Sequence, residues 1–192
     1  MRSSINRSGC AFLALAACAG IGAYLLESAA GAQSAPPAAA RPASAAAKPE
    51  ENLQQLMRGI LFPASNVLFA AQQDVTKIPP VKDPSLSPNP LTNTYGGWQA
   101  VENAALAISE SANLLTIPGR FCANGKPVPV QRADWAKFVQ GLRDAGQEAY
   151  KAAKTKNSDN IVDAASTVTD ACSACHDVYR EKKGGEKDRC LP

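Results

Sequence analysis

The chain carries a Cys-x-x-Cys-His box, Cys172-Ser173-Ala174-Cys175-His176, close to its C-terminal end. On an α-helix the two cysteines and the histidine occupy positions i, i+3 and i+4, so they project from one stripe. Two thiols at this spacing can add across the two vinyl groups of haem, and the imidazole that follows can bind the iron. The box therefore predicts one covalently attached haem c, with its iron, lying against a helix.

Two other chemistries use similar spacings. A thioredoxin-like dithiol is expected in a βαβ context, which the sequence lacks. A zinc site needs two further ligands with their own spacing, but no second Cys pair of that kind is present and His176 is the only histidine. The attachment of haem c through Cys172 and Cys175 is therefore favoured, with His176 as the proximal iron ligand.

The second axial ligand cannot be another histidine of this chain. The sequence holds two methionines, the initiator Met1 and Met57, and methionine is a common second ligand in c-type cytochromes, where it raises the reduction potential. Met57 is therefore the candidate distal ligand. The alternative is an ordinary core methionine that fills a packing gap.

The N-terminus has the features of an export signal. Arg2 and Arg7 precede an apolar stretch, Gly9–Leu26, and Ala30-Gly31-Ala32 resembles a signal-peptidase site. We expect residues 1–32 to be a signal peptide. A lipoprotein signal with Cys18 as the lipidated residue and an uncleaved membrane anchor are the alternatives. All three place the folded domain outside the cytoplasm, which predicts a periplasmic protein with membrane attachment only through its N-terminus.

Residues 33–49 are rich in Ala, Pro and Ser and are expected to be an extended linker, which leaves residues 50–192 as one domain. The formal net charge of the chain is +3, with no block of one sign. A nucleic-acid partner is therefore not predicted.

Four segments of this domain show apolar residues at steps of three and four, which is typical of amphipathic helices. They cover about 53–71, 98–115, 135–152 and from Asn157 or Ser158 to Gly184-Gly185. Pro63 falls within the first and predicts a kink there. No segment has the pattern of a strand. The expected fold is all-α, an antiparallel up-down-up-down four-helix bundle, which can hold a cofactor in its core.

In such a bundle the first helix starts at the end where the last helix finishes. Met57 lies roughly 9 Å along the first helix, and His176 lies roughly 11 Å before the end of the last, at 1.5 Å per residue. The two candidate ligands are thus expected at matching heights on neighbouring helices.

With the haem box on the last helix, the chain resembles the cytochrome c prime family, the class II c-type cytochromes. The longer segment from Cys172 to Arg180 is similar to the family's Cys-x-x-Cys-His-x-x-aromatic-basic pattern, and the resemblance extends over about 51–183. Family members with an apolar distal residue are five-coordinate and bind NO or CO. Members with methionine there are low-spin electron carriers, which is the group that Met57 implies.

The resemblance also gives roles to basic residues. Arg180 would lie beside the proximal imidazole and disfavour positive charge on it; the alternative is a solvated cation at the helix C-terminus. Arg58 would be able to reach a haem propionate. Relatives often form homodimers, so a homodimer is possible here.

Cys122 lies in the loop between the second and third helices, and Cys190 lies in the tail after the fourth. Both are expected at the haem end of the bundle. Because the predicted compartment is oxidising, these two cysteines favour a Cys122–Cys190 disulfide; free thiols are the alternative.

The sequence thus predicts a periplasmic one-electron carrier with an unknown redox partner protein. The alternative functions are a five-coordinate protein that binds NO or CO and a subunit that feeds electrons to a dehydrogenase. The chain shows no catalytic triad or base near a substrate pocket, so we do not expect an enzyme.

Overall fold

The computed structural model describes residues 48–191, which form four main helices and contain no β-strand. Helix α1 has three consecutive segments: α-helical Leu53–Leu56, a π-helical turn Met57–Leu61 and α-helical Phe62–Ala70. Helices α2, α3 and α4 are Trp98–Leu114, Ala133–Lys154 and Ser158–Tyr179. Consecutive helices pack against each other, and α1 also contacts α4. The predicted all-α four-helix bundle is confirmed.

The predicted signal peptide, Cys18 and most of the linker lie outside the described residues. Among residues 48–191, no helix is both long and apolar enough to cross a membrane.

One continuous core joins the four helices. Its members follow the three- and four-residue steps seen in the sequence, and all four helices contribute side chains that are almost completely removed from solvent. The largest of these buried side chains are Leu56, Leu68, Val101, Ile108, Trp135, Ile161 and Val168.

Helices α1 and α4 both begin with an asparagine cap. Asn52 Oδ1 accepts a hydrogen bond from Gln55 N at 2.9 Å, and Gln55 Oε1 accepts one from Asn52 N at 3.0 Å, which is a reciprocal capping box. Asn157 caps α4 by accepting from Asp159 N at 2.7 Å. These caps fix where the two helices that carry the candidate iron ligands begin.

Helix α1 widens just before Pro63. Because proline has no N–H, the carbonyl of Gly59 cannot receive the α-helical hydrogen bond it would otherwise accept. Instead, Phe62 N donates to Met57 O, a bond that spans five residues. The structure therefore has a π-helical turn where the sequence predicted a kink, and Met57 is the first residue of that turn.

Helix α4 ends at Tyr179, before the Gly184-Gly185 pair at which the sequence predicted its end. Arg180 N and Glu181 N both donate to His176 O at 2.8 Å, so the α-helical ladder stops there. Cys190 N then donates to Tyr179 O at 2.8 Å. The returning tail satisfies a helix-end carbonyl that a further helical turn would have satisfied.

The loop between α2 and α3 is anchored by a buried arginine. Arg120 is 2% exposed, and its Nη1 donates to Glu51 O at 2.7 Å and Glu51 Oε1 at 2.8 Å. The next residue of the loop, Phe121, accepts from Leu53 N at 2.8 Å through its carbonyl. The loop is thereby fixed to the start of α1, at the end of the bundle that carries Met57.

Candidate functional site

A cavity of about 760 Å³ lies at this end of the bundle. Its volume is within the range of about 300–1,000 Å³ that is usual for ligand sites. Helices α1, α3 and α4, the α2–α3 loop and the C-terminal tail all contribute to its lining. Every site residue predicted from the sequence lines this one cavity: Met57, Cys122, Cys172, Cys175, His176, Arg180 and Cys190.

Helix α4 supplies the two cysteines of the box. Cys172 and Cys175 are half-buried free thiols. Burial raises the pKa of Cys172, and burial together with Cys172 and Asp134 raises the pKa of Cys175 to about 11. Both side chains are therefore neutral thiols at neutral pH, so neither is poised as the reactive thiolate of a catalytic dithiol.

His176 is half-buried on the same face of α4. Burial lowers its pKa, and the positive charge of Arg180 lowers it further. The neutral imidazole, which is the form that binds a metal, is therefore favoured near neutral pH.

Arg180 itself is exposed, and its Nε is paired with the carboxylate of Glu181. Its positive charge lowers the pKa of His176, as the resemblance implied. It also lies at the C-terminal end of α4, as expected for a solvated cation at a helix end.

The wall formed by α1 carries Met57. The side chain is half-buried, and Leu53, one turn earlier, and Leu61 line the cavity beside it. Arg58 also lines the cavity but is exposed. Among the described residues, Met57 is the only methionine, so it is the only one of them that can offer a thioether sulfur to this cavity.

Aromatic residues of α3 also line the cavity. Trp135 is 1% exposed, and its Nε1 donates to Leu115 O at 3.0 Å. The Tyr179 ring meets Trp135 edge-on at a centroid distance of 5.1 Å and Phe138 at 6.2 Å. Both contacts have the edge-to-face geometry that aromatic pairs favour. The last turn of α4, which holds His176, is thus packed against the start of α3.

A polar network at the same junction was not predicted from the sequence. Tyr179 Oη donates to Asp134 Oδ2 at 2.9 Å and accepts from Arg132 Nε at 3.0 Å, and Arg132 also binds Asp134. The sequence did contain one signal, since Tyr179 follows His176 by three residues and must share its side of the helix. Nothing in the sequence indicated that Arg132 and Asp134 would meet it.

The C-terminal tail is held against the α2–α3 loop. We call this arrangement the tail clip, formed by residues 122–126 and 185–190. The sulfur atoms of Cys122 and Cys190 lie at bonding distance, with Cα atoms 6.6 Å apart. Asn124 Nδ2 donates to Glu186 O at 2.9 Å and Arg189 O at 3.1 Å. Because Cys122, Asn124, Arg189 and Cys190 line the cavity, the clip forms one of its walls.

These residues fit a covalently held haem. The cavity offers two free thiols and a neutral imidazole on one helical face, a thioether sulfur on another helix, and aromatic and aliphatic side chains between them. Over residues 48–191, no group of three or more His, Cys, Asp or Glu side chains could hold a metal ion, so the donor set does not suit zinc.

Residues 128–180 match the family model described as Cytochrome C'. The matched segment contains α3, α4 and the complete Cys-x-x-Cys-His box. No curated protein and no solved structure matched the chain. The match supports the cytochrome c' family, which implies a c-type haem protein with covalently bound haem c and iron. Members of this family are typically exported to the periplasm.

Proposed function

We propose that the protein is a periplasmic one-electron carrier in which His176 is the proximal and Met57 the distal ligand of a single haem c. The observation that carries this proposal is that Met57 and the Cys-x-x-Cys-His box, 115 residues apart in the chain, line the same cavity. A bound haem supplies a one-electron Fe(III)/Fe(II) couple.

Met57 and the three residues of the haem box that bind the cofactor each have a defined role in this proposal. Cys172 and Cys175 hold the cofactor through thioether bonds, and the imidazole of His176 binds the iron. The thioether of Met57, being a neutral, soft ligand, favours the ferrous state and raises the reduction potential. The aromatic and aliphatic lining would surround a bound haem with apolar groups, which also favours the less charged iron state.

The aromatic contacts and hydrogen bonds of Tyr179 limit movement of the helical turn that carries His176. Electron transfer is favoured when the iron ligands move little between the two oxidation states. A turn held by both aromatic contacts and hydrogen bonds therefore suits this function. We also propose that the Cys122–Cys190 bridge forms in the exported protein, where it closes the wall formed by the tail clip.

The second candidate is a five-coordinate haem protein that binds NO or CO, a property often found in the cytochrome c' family. Leu53 and Leu61 are the apolar side chains beside Met57. They would suit a small apolar ligand if the methionine did not bind the iron. The two functions therefore differ in the role of one side chain.

The deciding experiment compares holoproteins of the wild type, Met57→Ala and Leu53→Ala. Leu53 is the matched control, because it is also half-buried, lies one turn earlier on the same helix and lines the same cavity but has no ligating atom. We expect a low-spin ferric spectrum with a weak sulfur-to-iron charge-transfer band for the wild type and Leu53→Ala, and a high-spin spectrum for Met57→Ala. A high-spin wild type whose ferrous form binds CO readily would contradict the carrier function and support the second candidate.

A further inference from the structure

Arg189 occupies an unusual position in the tail clip. It follows the short 3₁₀ helix Gly185–Asp188 and directly precedes Cys190. Its side chain lines the cavity together with His176, and its Nε is buried with no hydrogen-bond acceptor among the described residues. No carboxylate within residues 48–191 forms a salt bridge with it.

The backbone at Arg189 is held on both sides. Its N–H donates to Glu186 O at 3.2 Å, and its carbonyl accepts from Asn124 Nδ2 at 3.1 Å. The following residue, Cys190, donates through its N–H to Tyr179 O at 2.8 Å. Since Tyr179 belongs to the last turn of α4, the position of Arg189 is set relative to the helix that carries the haem box.

A buried guanidinium N–H without an acceptor is unfavourable, because the group has lost its hydrogen bonds to water. The acceptor that best matches a guanidinium is a carboxylate, which takes two parallel N–H bonds in one plane. Two carboxylates line the cavity: Glu181 is paired with Arg180, and Glu186 forms no salt bridge with a described residue. Within residues 48–191 neither carboxylate is paired with Arg189, so a carboxylate carried by a ligand of the cavity would meet a guanidinium that no described residue has paired.

We propose that Arg189 binds a propionate carboxylate of the haem, so that the tail clip is part of the cofactor site. This inference rests on the proposed function in requiring haem c at Cys172 and Cys175, but it does not depend on Met57 as a ligand. It differs from the propionate role that the family resemblance suggests for Arg58, which lies on α1 and is exposed.

The test uses the holoprotein and three variants. Arg189→Gln removes the charge and the fork of donors, whereas Arg189→Lys keeps the charge but not the fork. Lys187→Gln is the matched control, because it removes the same charge two residues earlier on the same tail from an exposed side chain that does not line the cavity. The readouts are the propionate bending band in resonance Raman spectra and the reduction potential measured by spectroelectrochemical titration.

We expect Arg189→Gln to move the propionate band to lower frequency and to lower the reduction potential, since loss of a nearby positive charge favours the ferric state. Lys187→Gln should leave the band unchanged and shift the potential several-fold less. Arg189→Lys should recover most of the potential but not the band.

An unchanged band in Arg189→Gln would overturn the inference, and so would equal potential shifts in Arg189→Gln and Lys187→Gln. A pyridine haemochrome assay on the wild type separates this failure from that of the proposed function. Absence of covalent haem would overturn both, whereas covalent haem with high-spin iron would contradict only the role of Met57.

Discussion

Gly146 of α3 is a position where one added methyl group should separate two helices. A Cβ atom built there would lie 2.6 Å from Ser109 N and 2.8 Å from Ser109 Cα, both in the backbone of α2. Ser109 Oγ also donates to Arg143 O at 3.2 Å at the same crossing. Because the nearest atoms are backbone, no side chain can rotate away to make room.

The distances give the magnitude. An ordinary contact begins at 3.4 Å, so the helices would have to part by roughly 0.8 Å, the difference between 3.4 and 2.6 Å. Overpacking of this kind costs about 1–3 kcal/mol. Alanine is favoured over glycine in a helix by about 0.8–1.0 kcal/mol, which offsets part of that cost. We expect Gly146→Ala to lower the free energy of unfolding by up to about 2 kcal/mol.

Gly141 provides the matched control on the same helix. It is exposed, and a Cβ there meets nothing within 4 Å. Gly141→Ala should therefore raise stability by about 0.8 kcal/mol from helix propensity alone. The same substitution, on one helix, is predicted to have opposite signs at the two positions.

Guanidinium chloride unfolding of the two holoprotein variants, followed by far-UV circular dichroism, measures both values from the shift in midpoint. Equal stabilisation by the two substitutions would refute the reasoning, because it would show that α2 and α3 have room at Gly146. Destabilisation by Gly141→Ala would show that the helix-propensity part of the argument is wrong.

Three further predictions concern the junction of α4 with α3 and the tail. Peptide mapping of the unreduced protein should recover Cys122 and Cys190 in one cross-linked fragment; the separation of 68 residues implies that reducing the bridge lowers stability by about 4 kcal/mol, measured by denaturant unfolding. Tyr179→Phe should lower stability by about 1 kcal/mol, because a buried ring loses its hydroxyl hydrogen bonds, and an unchanged unfolding midpoint would contradict this. Hydrogen bonding to Arg132 lowers the pKa of Asp134 below its usual 3.8, so its stabilisation is present above that pH and is lost as pH falls through the folded-state pKa; in Asp134→Asn, the acid-unfolding curve should fall less steeply below pH 3.8, and an unchanged slope would contradict the assignment.

The fold and the haem box could be predicted because both are local patterns. Apolar residues at three- and four-residue steps define each helix separately, and Cys172, Cys175 and His176 share a face of one helix whatever surrounds it. The simple up-down order of four helices then sufficed to bring Met57 to the same end of the bundle. That prediction needed only the residue rise of a helix, and the shared cavity agrees with it.

Other features could not be predicted because they depend on contacts between distant segments. The sequence shows Pro63 but does not decide between a kink and a π-helical turn, since both leave the carbonyl of Gly59 without its usual donor. The predicted end of α4 was wrong because it was inferred from Gly184-Gly185. In the structure the tail satisfies the Tyr179 carbonyl before that pair is reached. Arg189 had no signal at all, because its buried Nε exists only once the tail has folded back.

The family match covers 128–180 and thus the part of the cavity that would attach haem. Met57 on α1 and Arg189 in the tail lie outside it, although both line the same cavity. The iron ligand that would separate a carrier from a gas-binding protein, and the charge that would tune its potential, therefore come from segments that the match does not describe. Since attachment alone is compatible with either function, the π-helical turn and the tail clip are where the function of this chain is decided. Variants at Met57 should consequently change both spin state and reduction potential through the iron, whereas variants at Arg189 should change the potential alone, through the propionate.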